Sequence, residues 1–263
     1  SLLLPNIYES RALLAPVNSS NGIARSIRGY SGLAGIAGIN LPSVEGEGNS
    51  VKAMHKIGSL SFFENNILTN IYLPDLMAVK DWNSKKNILS YEESIYNAES
   101  DTWIGDHSKK PSAQKSFEVF SAHSSLSQDK ITGFVSLSIK HQSPFIAKQW
   151  AELTVNEINN FYRLKDKSES EKAVSYLNEQ ISSTGLSEIK EVLAQLLQEE
   201  TKKLTLIEAN KFYVFEYIDP PAVMEYKSQP KRALICILSA FMGGMLSVLM
   251  VLFRHFVYTK KAS

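Results

Sequence analysis

The most distinctive pattern of apolar residues in the chain is a long uninterrupted run near its C-terminal end. Residues 233–253 form a run of 21 positions without a charged side chain. A helix of that length spans roughly 31 Å, the thickness of the hydrocarbon core of a bilayer. Lys231 and Arg232 precede the run and Arg254 follows it, as expected where charges must reach the lipid headgroups. We therefore predict a transmembrane helix over 233–253 and a short tail over 254–263, in preference to the buried core helix of a soluble domain.

The longest periodic pattern in the chain is helical. The pair Ser143-Pro144 is typical of a helix start, and apolar residues at helical spacing continue to Thr184, a length of about 60 Å. The polar run 165–172 (KDKSESEK) contains no helix breaker, so we interpret it as a solvated face, with a linker as the alternative. After a glycine, leucine and isoleucine residues return in steps of three and four, as in a coiled coil. The sequence thus predicts a long helical hairpin over 143–210.

Shorter elements lie on both sides of this hairpin. The patterns predict strands over 6–15, 131–140 and 212–218 and helices over 51–57, 61–70 and 112–120. The strand over 131–140 alternates well enough to have one buried face, and it pairs as a β-hairpin with the residues just before it. The predicted fold is an α+β, membrane-proximal base domain over 1–142 and 211–226, from which the long α-helical hairpin protrudes, followed by the C-terminal transmembrane helix.

A proline-containing segment links the base domain to the apolar run. Pro220 and Pro221 follow the last predicted strand, and Pro230 precedes Lys231. Because proline continues neither a strand nor a helix, these residues favour a stiff, extended path. We expect this connector, with 227–232 at its end, to hold the base domain against the bilayer.

Glycine recurs at every third position between residues 29 and 38. The four positions are Gly29, Gly32, Gly35 and Gly38. A phosphate-binding loop is one interpretation, but neither GxxxxGK[ST] nor GxGxxG is present. We favour a small-residue face on a turn or short helix that permits close packing.

The polar segment 80–112 contains four large aromatic residues near two aspartates. They are Trp82, Tyr91, Tyr96 and Trp103, with Asp101 and Asp106. Aromatic rings beside carboxylates can stack on sugar rings and bind their hydroxyl groups. The alternative is that these rings anchor an irregular segment to the core, and the sequence leaves both interpretations open.

Composition argues against most other kinds of site. Lys+Arg number 28 and Asp+Glu 27, a net charge of +1, which speaks against an extended polyanion-binding surface and against nucleic-acid binding. The one cysteine, Cys236, lies in the apolar run, so no intrachain disulfide can form. The five histidines are scattered, and HExxH and GxSxG motifs are lacking. We therefore predict neither catalysis nor a bound cofactor or metal.

The first residue, Ser1, is not a methionine, and no secretory signal follows it. We expect the sequence to be a fragment or a processed chain, with a preceding membrane segment missing.

Five segments together resemble one family. They are LPNIYESRALLAPV, SGLAGIAGI, ITGFVSLSIKHQSP, FYVFEYIDPPA and SQPKRALICILSAFMGGM. In this order they resemble the polysaccharide co-polymerase (Wzz) family of O-antigen chain-length determinants, over almost the whole chain. In that family a first membrane helix precedes the equivalent of Leu4-Pro5, and both termini are cytoplasmic.

The resemblance implies an inner-membrane protein of a Gram-negative bacterium, with most of the chain in the periplasm. It implies a homo-oligomeric ring or bell that sets how far the O-antigen polymerase extends the glycan, and contact with the growing polysaccharide is a further expectation. The connector residues carried over by position are Pro220, Pro221, Pro230 and Lys231, although here two of the prolines are adjacent rather than evenly spaced. The helix motif is Gly243-Gly244-Met245.

Small residues in the apolar run suggest how that helix packs. Ser239, Gly243 and Ser247 recur at four-residue steps and Gly244 adjoins them, which is typical of a face on which another membrane helix packs closely. A helix that merely tolerates glycine in lipid is the alternative.

Several related functions share these features. A co-polymerase for enterobacterial common antigen or for an exopolysaccharide has the same architecture, whereas a co-polymerase with a fused tyrosine kinase is disfavoured by the short tail. An export adaptor for an ABC transporter and a generic anchored scaffold are alternatives from other classes.

Overall fold

The computed structural model describes residues 4–17, 46–104 and 110–259. The four glycines of the predicted small-residue segment, Gly29, Gly32, Gly35 and Gly38, lie outside the described residues. Their packing role therefore stays a prediction.

The described residues form helices and strands in mixed order. In sequence these are β1 (Tyr8–Pro16), α1 (Gly46–Ile57), α2 (Leu60–Phe62) with a π-helical turn (Phe63–Ile67) and a 3-10 turn (Leu68–Asn70), α3 (Leu73–Met77), β2 (Val79–Asn83), β3 (Ile88–Tyr91), β4 (Tyr96–Asn97), β5 (Thr102–Trp103), α4 (Ala113–His123), β6 (Ser124–Gln128), β7 (Val135–His141), α5 (Pro144–Ser183), α6 (Ser187–Ala209), β8 (Phe215–Asp219) and α7 (Arg232–Thr259). The main sheet has the order β6-β7-β1-β8, while β2–β3 and β4–β5 form separate pairs.

Strand β1 occupies the centre of the main sheet and joins distant parts of the chain. Tyr8 pairs with His141 and Leu14 with Val135 on one side, and Leu14 pairs with Tyr217 on the other. All these pairings are antiparallel. Because β8 follows the helical hairpin and β1 lies near the start of the described chain, the base is built from both flanks of the hairpin, as predicted.

The core lies between this sheet and the first half of α5, and α2 and α4 cover its remaining side. Burial of such apolar side chains is the main stabilising contribution to a domain. The fully buried large side chains of the core include Leu14, Phe62, Phe63, Ile67, Leu137, Ile139, Val155, Ile158 and Phe215.

The strand predicted over 131–140 begins later than expected. The Asp129 carboxylate accepts the backbone N–H groups of Ile131 and Thr132 at 2.8 and 2.9 Å. Gly133 has a φ of 73°, so these residues form a tight turn of the kind that aspartate and glycine favour. Ile131 is 95% exposed at this turn, so the predicted start of a strand with a buried face at position 131 was wrong. From Val135 onward the predicted alternation and the pairing with β6 are confirmed.

The second short helix begins one residue before the predicted start. The Ser59 hydroxyl, rather than that of Ser61, caps it by accepting the Phe62 N–H at 3.3 Å. The helix then widens into the π-helical turn, which buries Phe63 and Ile67 in the core. The sequence predicted this helix, but its start, which Ser59 sets, lies just before the predicted position.

A buried histidine precedes the long helix. The Nε2–H of His141 donates to the Asp75 carbonyl at 2.9 Å, and its Nδ1 accepts the Ser143 N–H at 2.9 Å. The second bond fixes the tautomer with its proton on Nε2 and satisfies a backbone donor just before α5. Burial away from water lowers the pKa of His141 to about 4.

The long helical hairpin is confirmed. Helix α5 is continuous over 40 residues, about 60 Å at 1.5 Å per residue, and the run 165–172 is a helix face rather than a linker. Helix α6 returns antiparallel to it. Helix α7 includes a 20-residue stretch, Arg232–Val251, with a mean hydropathy of 2.4 and no part buried, long and apolar enough to cross a membrane. The predicted fold class, an α+β base with a long helical hairpin and a C-terminal apolar helix, is therefore confirmed.

Candidate functional site at the membrane junction

The connector before α7 is hydrogen-bonded to the residue that precedes β1. The Ile7 N–H donates to the Gln229 carbonyl at 2.9 Å. The Ser228 and Gln229 N–H groups donate to the Ile7 carbonyl at 2.8 and 3.2 Å. These backbone bonds extend the edge of the sheet down to the start of the apolar helix, so the helix start is tied to the base domain and not merely linked to it.

Side chains reinforce this junction around Asn6. Its Oδ1 atom accepts hydrogen bonds from Lys227 Nζ at 3.1 Å and from Arg232 Nη2 at 3.3 Å. Ser228 Oγ donates to Glu9 Oε2 at 3.0 Å. Basic residues of the connector are thereby held beside β1 instead of extending freely. We call Asn6, Ile7, Glu9 and residues 227–232 the junction.

The charge on Glu9 is stabilised at this place. Partial burial alone would raise the pKa of its carboxyl group, but hydrogen bonds from Arg11, Ser228 and Ser138 outweigh it and hold the pKa below its ordinary value. Arg11 Nη2 lies 3.1 Å from Glu9 Oε1. The carboxylate is therefore ionised at neutral pH and available to bind the connector.

The four predicted connector residues occupy two different places. Pro230 and Lys231 lie at the junction, where their carbonyl groups accept the first N–H groups of α7, from Arg232 at 2.9 Å and Ile235 at 3.2 Å. Pro220 and Pro221 directly follow β8, and Pro221 is buried; the carbonyl of the next residue, Ala222, accepts a hydrogen bond from Ser10 Oγ of β1 at 2.8 Å. The structure thus does not bring the three prolines and the lysine together, and the membrane-binding role of the connector stays a prediction.

The predicted small-residue face lies on the exposed part of α7. A side chain built onto Gly243 or Gly244 would meet no other atom within 4 Å in the described part of the chain. Ser247 Oγ donates to the Gly244 carbonyl at 2.7 Å, so this hydroxyl is satisfied within the helix. Ser239 lies one turn before Gly243 on the same face. The face is open to a partner, and that it receives one stays a prediction.

Four aromatic residues meet beside Asp101 in the predicted aromatic segment. The ring centroids are 5.5 Å apart for Tyr91 and Tyr96, 5.1 Å for Tyr96 and Trp103, and 6.3 Å for Tyr72 and Tyr96. We call Tyr72, Tyr91, Tyr96, Trp103 and Asp101 the aromatic cluster. Tyr72 was missed in the sequence because it precedes the polar segment.

The other residues of that segment are placed differently. Trp82 lies outside the cluster and contacts Tyr8 and Phe145, with ring centroids 5.4 and 6.3 Å apart. Asp106 lies outside the described residues. Only part of the predicted aromatic group is therefore brought together.

Comparison with known proteins matches a stretch that contains one side of the junction. Residues 187–256 match the model of the GNVR family, described as a G-rich domain on putative tyrosine kinase. No curated protein matches the chain. A solved full-length bacterial polysaccharide co-polymerase has 15% identity and a TM-score of 0.38, over 100% of this chain and 90% of its own. A fragment of WzzB, a polysaccharide co-polymerase from Salmonella Typhimurium, has 14% identity and a TM-score of 0.33, over 85% of this chain and 100% of its own.

The predicted resemblance to polysaccharide co-polymerases is confirmed. The GNVR stretch runs from the start of α6 through β8 and the connector into α7. It therefore contains one side of the junction, residues 227–232, and the small-residue face, whereas Asn6 to Glu9 on the other side lie outside it. The junction of this chain therefore needs residues from both sides, one inside the matched stretch and one before it.

The distal part of the helical hairpin also has an exposed apolar surface. We call residues 164–209 the arm. Seam residues such as Leu177 and Ile207 are buried between α5 and α6, but Ile189, Val192 and Leu196 on the flank of α6 are exposed. Their spacing of three and four residues places them on one face of the helix, so the arm presents an apolar flank that the described part of the chain does not cover.

Within the described residues, no group of three or more histidine, cysteine, aspartate or glutamate side chains is arranged to hold a metal ion. The arrangement described above is instead one of surfaces: a tied helix start, an open small-residue face, an exposed arm flank and an aromatic cluster.

Proposed function

We propose that the protein is an oligomeric, membrane-anchored co-polymerase that regulates the chain length of a surface polysaccharide, with lipopolysaccharide O-antigen as the first candidate. It would lie in the inner membrane of a Gram-negative bacterium, with base and hairpin in the periplasm and the tail 254–263 in the cytoplasm. The junction is the observation that carries this proposal. It couples the position of the membrane helix to that of the base, and through α5 to the arm.

The exposed arm flank supports a homo-oligomer. Ile189, Val192 and Leu196 present apolar surface on a helix whose opposite side already packs on α5. In an arrangement around an axis, each arm would lay this flank against the next, which removes apolar area from water. Because the junction fixes each base to its own membrane helix, a ring of arms also sets a ring of membrane helices.

The small-residue face supports a partner within the membrane. Since no described residue fills the space around Gly243 and Gly244, a helix of the glycan polymerase, or of a neighbouring subunit, can approach the backbone closely there. Chain length would then follow from how many polymerase molecules the ring holds and for how long. The chemistry of glycan extension would belong to the polymerase.

The decisive experiment is the lipopolysaccharide ladder of a deletion strain with and without the restored gene. We expect a clustered length distribution that becomes monotonic on deletion and returns on restoration. An unchanged ladder would contradict the O-antigen assignment and direct the search to another surface glycan or to an export adaptor.

Substitutions in α7 sharpen this test. Gly243→Leu and Gly244→Leu fill space that is empty in the isolated chain, so the monomer should fold and insert normally while the ladder loses its clustering. Leu238→Phe adds bulk on the other side of the helix, where Leu238 is exposed, and is the matched control. Loss of clustering with Leu238→Phe but not with the glycine variants would contradict the proposed packing face.

A further inference from the structure

The aromatic cluster has the composition and exposure of a sugar-binding surface. Resting on the proposed function, we propose that Tyr72, Tyr91, Trp103 and Asp101 form a carbohydrate-binding site that contacts the polysaccharide itself. Tyr96 lies beneath these residues and positions them. The site would place the glycan on the same protein that determines its length.

The rings of the site form a continuous surface with partly exposed faces. Tyr72 contacts Tyr91 with ring centroids 6.4 Å apart and an interplanar angle of 74°. The Tyr72 residue is nevertheless 49% exposed, and Tyr91 and Trp103 are half-buried. A ring that served only to anchor an irregular segment would be expected to be buried, whereas about half of Tyr72 remains exposed to solvent.

The buried member of the cluster holds the polar atoms in place. Tyr96 is 1% exposed, and its hydroxyl donates to Asp101 Oδ1 and also contacts the Tyr72 hydroxyl. Burial, together with the neighbouring Asp101 carboxylate, raises the pKa of Tyr96 far above its ordinary value, so it remains a donor. Tyr72 Oη lies 3.3 Å from the same Asp101 oxygen.

Asp101 retains capacity for a ligand. It is exposed, and its backbone has a φ of 52°, a conformation that few residues with a side chain adopt. Both tyrosine hydroxyls reach its Oδ1 atom, whereas no described residue donates to Oδ2. The carboxylate therefore has an acceptor available for a hydroxyl donor.

The two half-buried tryptophans of the base, Trp82 and Trp103, differ in whether the indole N–H is hydrogen-bonded within the fold. Trp82 Nε1 donates to Asn87 Oδ1 at 2.9 Å and its ring packs against Tyr8, so its polar atom is used within the fold. The Trp103 indole N–H has no hydrogen-bond partner among the described residues, and its ring lies beside Tyr96, which bonds to Asp101. Trp82 is thus a structural anchor, and Trp103 has a donor to offer.

These groups match the chemistry of a pyranose. A sugar ring presents an apolar C–H face that stacks on an aromatic ring and an edge of hydroxyl groups that donate and accept hydrogen bonds. The site offers aromatic faces, a carboxylate acceptor and an indole donor held by neighbouring contacts. A few convergent polar groups on an aromatic surface are typical of ligand sites.

Tryptophan fluorescence of the full chain in detergent micelles tests this inference. The probe is the lipid-free O-polysaccharide released by mild acid from the lipopolysaccharide of the same strain. We expect saturable changes in emission that persist in Trp82→Phe and vanish in Trp103→Phe, because only Trp103 lies in the site. Asp101→Asn should weaken binding about tenfold or more, since it replaces a charged acceptor.

Far-ultraviolet circular dichroism of every variant checks that it folds. Tyr72→Phe is a conservative control, because it keeps the ring and should retain most of the binding. No saturable change for the wild type, or equal affinities for wild type, Trp103→Phe and Asp101→Asn by calorimetry, would overturn the inference. The ladder experiment reports independently on the proposed function. A ladder that responds to deletion while the polysaccharide does not bind would reject this site alone.

Discussion

The two halves of α5 belong to one unbroken helix but lie in different environments. In the first half, 144–163, a dense set of residues is buried against the sheet: Pro144, Ala147, Trp150, Ala151, Thr154, Val155, Ile158, Asn159 and Tyr162. In the second half, 164–183, only Ser170 and Leu177 are buried. The comparison shows that the base is held by a core, whereas the arm is held by a narrow seam with α6. The outer faces of the arm are not needed for folding and are therefore free to serve assembly.

The boundary between the two halves is marked by polar contacts rather than by apolar ones. Arg163 Nη2 donates to the Asn210 and Lys211 carbonyls at 2.7 and 2.6 Å. Asp166 accepts a hydrogen bond from Tyr213, and Lys167 forms an ion pair with Glu208. These contacts hold the end of α6 and the chain that leads into β8 against α5. The arm thus has a defined root on the base.

The largest effect is expected at Asn159, the buried amide just below this root. Its Oδ1 accepts the N–H groups of Tyr213, Val214 and Phe215 at 3.2, 2.7 and 3.0 Å, and its Nδ2 donates to the Phe215 carbonyl at 3.0 Å. Asn159→Leu would leave these backbone groups unpaired, which should lower the free energy of unfolding by about 4 kcal/mol or more.

Chemical denaturation of the full chain in detergent measures this effect. Asn159→Asp is the comparison variant: it can keep the three accepted bonds, but it buries a carboxyl group whose second oxygen faces the Phe215 carbonyl, so it should be destabilised by a different cause. Equal stability of Asn159→Leu and the wild type would show that the entry into β8 is held by packing alone.

A second prediction compares matched truncations in the two halves. Ile158→Ala removes a fully buried side chain from the core and should cost about 3 kcal/mol, whereas Leu177→Ala removes a seam residue at the edge of solvent and should cost less, about 2 kcal/mol. The same denaturation experiment measures both. Hydrogen exchange should show the Leu177 effect confined to the arm and the Ile158 effect spread over the base. A larger loss for Leu177→Ala would mean that the arm, and not the base, contains the main stabilising contacts.

A third prediction concerns pH and applies to the base alone, because the arm contains no histidine. The pKa of His141 is lowered by burial to about 4 in the folded chain, against an ordinary value of 6.5. Between these values the unfolded chain binds a proton that the folded chain does not. Stability should therefore fall as the pH is lowered from about 6.5 to about 4, by at most about 1.4 kcal/mol per pH unit, with no further loss from this group below that window.

The slope of unfolding free energy against pH is the measurement. His141→Gln does not titrate and should flatten the slope between pH 6.5 and 4. An unchanged slope in this variant would assign the acid sensitivity to other groups. Hydrogen exchange at the Ser143 amide gives a local check, since that N–H is bonded to the Nδ1 atom that would be protonated.

Much of the fold could be predicted because its signals are local. The periodicity of the long hairpin, the proline at the start of α5 and the uncharged run of α7 each determine one element without reference to the rest. Partners far apart in the chain could not be predicted in this way. Asn6 and Lys227 are 221 positions apart, and only the pairing of β1 with the segment after β8 brings them together.

The candidate sites show the same limit. Nothing in the sequence indicates that Asn159 is buried, because an asparagine within a helix is usually exposed to solvent. The aromatic cluster was partly foreseen, but the separation of Trp82 from Trp103 depends on how β2–β3 and β4–β5 pack. The residue types indicated what kind of site to expect, but only the fold determines which of these residues lie together in it.

The smallest effect is expected at Ser170, the counterpart of Asn159 in the second half of α5. Its side chain is buried, and its hydroxyl has no hydrogen-bond partner within the described residues. Ser170→Ala removes an unsatisfied polar group and adds a better helix former, so it should stabilise the arm by about 1 kcal/mol. Thermal unfolding followed by circular dichroism measures the change. Opposite signs for Ser170→Ala and Asn159→Leu would show that a buried polar residue on this helix stabilises the fold in the base and destabilises it in the arm. Destabilisation by Ser170→Ala would instead mean that the Ser170 hydroxyl is hydrogen-bonded in the folded chain, and would contradict this contrast between the two halves.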